Sequence, residues 1–193
     1  MATTIGKPDF PGGLWGAAPD GHVLGQIAPS VAGTVSASSA WVRRDVDVEV
    51  QLRMGVGTWD GSIMDVLLGA SDVLTLDGSN APINSWVEHD FDWTTPSEEL
   101  AGSGDVAVLL HYGPTGDSVQ MGATGGGGGG LEWDGVTFAS GLPSSLTSPT
   151  VRTNSFPLSA VVDTIAGAGP ALLAVQRAGG IQLGTQIGAI RLR

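Results

Sequence analysis

The chain has 193 residues, with 31 Gly, 11 Pro, no Cys, only 14% charged residues and a net charge of -11. Without cysteine there is no disulfide framework, thiolate metal site or cysteine nucleophile, and the acidic balance lacks the clustered Lys and Arg of a nucleic-acid partner. So much glycine and proline with so little charge favours strands and turns over helices with charged solvent faces, in a length that one sandwich can occupy.

Residues 1–30 are rich in Gly and Pro, carry isolated Phe10, Leu14 and Trp15, and show no sustained period. They predict an extended N-terminal arm that lies over the body or reaches a partner. No basic-then-apolar leader opens the sequence, and no run reaches the roughly 18 apolar residues of a membrane helix, so assembly in a cytoplasm without membrane insertion is expected.

The clearest strand is Asp45–Met54, where Val46, Val48, Val50, Leu52 and Met54 alternate with polar residues. Period two with one apolar face marks a half-buried antiparallel strand. Thr34–Val42, Ile63–Leu68, Val73–Leu76, Trp86–Trp93, Asp105–Tyr112, Ser118–Met121, Leu131–Phe138 and Phe156–Val162 repeat the theme. About nine short strands separated by turns predict an all-β antiparallel sandwich or barrel over residues 31–163. Asp-Gly pairs at 20–21, 60–61, 77–78 and 134–135 supply the positive φ of tight turns.

Residues 164–193 form an apolar tail in which Pro170–Ala178 reads as a short helix stopped by Gly179 and Gly180, or as one arm of a hairpin with Ile181–Arg193. All the acids lie at or before Asp163, so residues 1–163 carry a net -14 while Arg177, Arg191 and Arg193 make the last 30 residues +3. Such a tail packs on its own body or docks on a neighbouring copy, with those three arginines as the candidate docking contacts.

Chemistry-bearing motifs are scarce. Gly125–Gly130 satisfies G-x-G-x-x-G by redundancy, but a strand-like Leu131-Glu132-Trp133 follows where a phosphate-binding helix would start. His22, His89 and His111 stand alone in sequence with no zinc-chelating spacing, and structural roles are expected for them. No nucleophile elbow selects a Ser-His-Asp triad. Asp90 with Asp92 and Asp45 with Asp47 sit on polar strand faces rather than as a catalytic pair. No calcium loop of the D-x-[DN]-x-[DN]-G type occurs, which leaves calcium between loop carboxylates and carbonyls as an open alternative with no ligands to name; no cofactor is expected.

Among six tryptophans, Trp59 beside Asp60-Gly61 and Trp133 beside the glycine run read as partly exposed. With Tyr112 they are the candidate glycan or partner contacts, since aromatic faces bind sugars and anchor interfaces. Trp41, Trp86 and Trp93 fall inside strand patterns and are assigned to the core.

The ordered segments Gly33–Ser38, Val48–Leu52, Asp65–Ser71, Ser85–Phe91, Leu100–Leu110, the Gly141–Pro143 turn and Phe156–Ala160 resemble jelly-roll modules of bacteriophage tail and capsid-associated proteins. Similar sandwiches occur in carbohydrate-binding modules. The resemblance covers residues 30–163, transfers no catalytic residue, and departs in the tail after Asp163. It implies a jelly-roll β-sandwich and a non-enzymatic virion component, either a minor tail protein or a capsid decoration or fibre protein. Such a component would be assembled in the host cytoplasm, with other virion proteins and further copies of itself as partners. The alternative is a glycan-binding module that recognises a host-surface glycan; a hydrolase is the remaining reading, with no carboxylate pair or triad that spacing selects.

Overall fold

The computed structural model describes residues 1–9, 13–17 (backbone only), 21–114, 119–125 and 128–164. The expected helix or hairpin after Asp163, and Arg177, Arg191 and Arg193 with it, lie outside the described residues.

These residues form β1 (Ala2–Gly6), β2 (Gly13–Ala17), β3 (Val23–Pro29), β4 (Thr34–Arg44), β5 (Val50–Trp59), β6 (Met64–Ala70), β7 (Leu74–Leu76), β8 (Trp86–Asp92), β9 (Asp105–Tyr112), β10 (Val119–Ala123), β11 (Gly130–Trp133), β12 (Thr150–Arg152) and β13 (Leu158–Asp163), with one 3-10 turn at Phe138–Ser140. The fold is an all-β sandwich of two antiparallel sheets. In the first, β8 pairs one side of β4, and β13 and β10 pair its other side end to end, with β1 beyond β13 and β2 beyond β10. The second runs β12-β11-β3-β9-β5-β6, with β7 also on β5.

Alternation explains the interior of β4, where Val35, Ala40, Val42 and Arg44 are buried between partly exposed neighbours. Facing residues of the second sheet, including Leu24, Leu52, Met54, Val56, Val108 and Leu110, complete the main core with Phe91, Phe156 and Leu158. Each fully buried side chain of this size contributes about 1.5–3 kcal/mol.

The second sheet is buried on both faces. On its outer side Val23, Ala107, Leu109, Leu131, Trp59 and Trp133 form a second cluster with Leu142 and Leu146 of the segment that follows β11. That segment is tied down by Met64 and Leu146, which exchange backbone hydrogen bonds, and by Leu67 N donating to Ser144 O at 2.7 Å. Gly55 makes room for it: a Cβ there would lie 2.4 Å from Leu142.

Two serines extend the sheets where strands run out. Ser97 N donates to Val35 O (3.0 Å), and its hydroxyl accepts from Val35 N (2.8 Å). Ser71 treats Met54 the same way, at 2.9 Å for both bonds. A side-chain oxygen thus stands in for a strand carbonyl.

Several expectations need correction. Residues 1–30 are not simply an arm over the body: β1 and β2 join the first sheet, and β3 lies inside the second between β11 and β9. Strand pairing captures β3 because Leu24 and Ala28 enter the main core while Val23 enters the outer cluster, a two-faced burial that carries no alternation. Asp45–Met54 is a strand only from Val50; Val46 and Val48 are 47% and 37% exposed. The buried Arg44 folds the preceding segment back on itself, donating to Val48 O (3.1 Å) and Asp47 Oδ1 (3.1 Å). Leu131–Phe138 ends as a strand at Trp133, where Asp134-Gly135 turns the chain with φ +74° at the glycine.

The beginning and end of the sandwich meet. β1 pairs with β13 from Ala2 opposite Asp163 to Gly6 opposite Ser159, and Thr164 N donates to Met1 O at 2.8 Å. Among the described residues no helix is long and apolar enough to cross a membrane.

Candidate functional site

At one end of the second sheet, His22 enters β3, Glu132 lies on β11 opposite Leu24, and Asp134 opens the turn that leaves β11. The backbone around His22 is fixed: Tyr112 N donates to His22 O (2.9 Å), Gly21 N to Tyr112 O (3.0 Å) and Val136 N to Gly21 O (2.8 Å). Gly21 accepts this crossing because its φ is +78° and a Cβ would lie 2.8 Å from Val136 O.

The His22 ring sits between two carboxylates. Nδ1 is 3.3 Å from Glu132 Oε1, and Nε2 is 2.7 Å from Asp134 Oδ1. The side chains of His22 and Glu132 are 16% and 10% exposed, whereas Asp134 is 73% exposed. Arg152 on β12 donates to Glu132 Oε2 through Nε (2.7 Å) and Nη2, which turns Oε1 toward the imidazole. Beside the cluster lies a cleft of about 370 Å³ with polar lining from Glu132, Asp134, Ser145, Thr147, Ser148 and Thr150. Ser148 holds a left-handed φ of +55° there.

The arrangement accommodates either two ring protons or a cation between a nitrogen and oxygen donors. It does not build a serine hydrolase, because the Nε2 that would take a serine proton faces Asp134.

The aromatic candidates are overturned as a binding platform. Trp59 is 8% exposed, Trp133 4% and Tyr112 0%. Trp59 and Trp133 meet edge to face at 6.5 Å within the outer cluster, and Tyr112 belongs to the main core. Neighbouring turns suggested exposure; the segment after β11 that covers the outer face removes it. Among the described residues the Tyr112 hydroxyl and Trp133 Nε1 are buried without a hydrogen-bond partner, and burial pushes the Tyr112 phenol well above its ordinary range. Of the tryptophans assigned to the core, Trp93 is there, donating to Ser38 Oγ at 2.9 Å. Trp41 and Trp86 are half-buried on the outer face of the first sheet, where Trp41 donates to Pro8 O (3.2 Å) and Arg43 stacks over Trp86.

His89 and His111 are buried. His111 Nε2 lies 2.9 Å from Val136 O, and its ring packs against Phe138, consistent with a structural role. His22 is the residue that sequence reasoning missed, because its partners lie 110 and 112 positions away; spacing carried no signal for the cluster. No protein-family model matches this chain, and no curated protein does.

Proposed function

We propose that the chain is a non-enzymatic structural module of a bacteriophage virion, a minor tail protein or a capsid decoration or fibre protein, that works through contacts between subunits. In this reading the sandwich is a jelly roll. The strand orders β2-β10-β4-β8 and β3-β9-β5-β6 support it, because folding an eight-stranded ribbon over itself generates those two orders.

The observation behind the functional reading is the edge at β1. Among the described residues β1 pairs only with β13, and Thr164, the last of them, is bonded to Met1 at that edge; the sequence that follows is basic. A strand edge left unpaired by the other described strands, in a chain whose last residues carry charge opposite to the body, is a means of joining copies by strand addition and charge pairing. Repetition on a symmetric particle would strengthen such contacts. Partners are other virion proteins and further copies of the chain.

Glycan recognition through Trp59, Tyr112 and Trp133 is set aside, because none of the three presents a face to solvent.

The test is co-sedimentation with assembled particles and light scattering, comparing the intact chain with an Arg177→Glu, Arg191→Glu, Arg193→Glu triple variant. Particle association or self-association that the triple variant loses supports the reading. An intact chain that stays monomeric and unbound refutes it.

A further inference from the structure

We propose that His22, Glu132 and Asp134 form a binding site for a divalent cation of the zinc class. One donor atom from each residue lies within 4.8 Å of the other two. Zinc at about 2.0–2.2 Å from its ligands needs donors about 3.4 Å apart, so the set closes around an ion by a shift of little more than 1 Å. His22 Nδ1 and Glu132 already stand at 3.3 Å, and Asp134, now 2.7 Å from Nε2, has a 73% exposed side chain with space around it to turn toward the same ion.

Three features make this more than a chance meeting of charges. First, the donors are mixed: an imidazole nitrogen with two carboxylates suits zinc-class ions, whereas calcium and magnesium demand six or more oxygens. Second, the site is supported from behind. Arg152 holds Glu132 Oε2, and backbone bonds from Tyr112 and Val136 hold the His22 and Gly21 peptides, the outer shell that metal ligands require. Third, one side opens on the polar cleft, leaving a position for water or an incoming oxygen ligand. The ion would take one ring nitrogen of His22 together with an oxygen of Glu132 and an oxygen of Asp134. The ion would clasp the entry of β3 to the exit of β11, across the joint where the outer segment leaves the sheet.

Tag-free, full-length protein is titrated with zinc chloride by calorimetry and with cobalt(II) by visible absorption. The expected result is one equivalent per chain, a cobalt spectrum with nitrogen and oxygen donors, and a rise in the thermal midpoint of about 5–11 °C at a hundredfold excess over the dissociation constant. His22→Gln and Asp134→Asn should each weaken binding about tenfold or more, while calcium and magnesium at the same concentrations leave the midpoint unmoved. Asp134 is exposed, so its variant folds even if the His22 variant does not. Absence of saturable one-to-one binding, or binding that persists unchanged in Asp134→Asn, overturns the proposal.

Discussion

Ser97→Ala tests whether a hydroxyl completes the first sheet. In the native chain the Ser97 hydroxyl accepts from Val35 N at 2.8 Å and donates to Glu98 O at 2.7 Å. Val35 is fully buried and Ser97 is 5% exposed, so without the hydroxyl the Val35 N–H has neither a partner nor a route to water. A buried donor left unsatisfied costs about 1–3 kcal/mol. The Glu98 carbonyl belongs to an exposed residue and recovers a bond from solvent, adding little. Collapse around the lost oxygen is blocked by β6: a Cβ at Gly69 would already sit 2.8 Å from Ser97 Cα. The expected loss is therefore about 2 kcal/mol, a fall of about 4–8 °C in thermal midpoint, or about 1 M in urea midpoint if the slope is near 2 kcal/mol/M. Equilibrium urea unfolding measures it, with exposed Ser103→Ala as a control expected within about 0.5 kcal/mol of the parent. Hydrogen exchange at the Val35 amide should accelerate in the Ser97 variant alone. A Ser97→Ala midpoint indistinguishable from the control would show that the hydroxyl does not substitute for a strand carbonyl.

Trp133→Ala should act as a core deletion, costing about 3–5 kcal/mol in denaturant unfolding; an unchanged stability would mean that the ring is not packed as described against Trp59. Burial pushes the His89 imidazole below its ordinary 6.5, with Asp90 pulling it partly back. The unfolded chain takes up this proton as the pH falls through that ordinary value while the native state resists, so stability is lost on acidification below about pH 6.5 and is unaffected by this group above it. Urea midpoints at pH 7.5 and 5 should therefore diverge less in His89→Leu than in the parent, and identical slopes would remove His89 from the account.

Which parts of the fold were legible depended on how each strand is covered. β9 matches its predicted span, Asp105–Tyr112, and β8 ends one residue short of Trp93, because a continuous apolar run in the first and clean alternation in the second both have strand signatures. β3 was missed because its burial on two faces looks like neither an amphipathic strand nor a loop when Gly25 and Gln26 interrupt it. The strongest alternation, at Asp45–Glu49, failed for a reason invisible to periodicity: the buried guanidinium of Arg44 needs local acceptors, and the chain bends to provide them. The positive φ expected of the Asp-Gly pairs holds at Gly21, Gly61 and Gly135 but not at Gly78; at Asp60 and Asp77 the carboxylates organise the turn by accepting backbone N–H groups from residues two and three positions on. The His22 cluster was not legible, because pairing of β11 with β3 is what creates it.

The pairing of β1 with β13 has a consequence for biosynthesis. β1 hydrogen-bonds to a strand made more than 150 residues later, so the first sheet closes only after nearly the whole sandwich has been translated. Pairings this distant in sequence form slowly. In that interval β1 offers an unpaired edge that the β13 of another nascent chain satisfies equally well. On a crowded polysome, exchange of β13 between chains is the misassembly this topology invites, and wider spacing of ribosomes on the message is the condition that suppresses it.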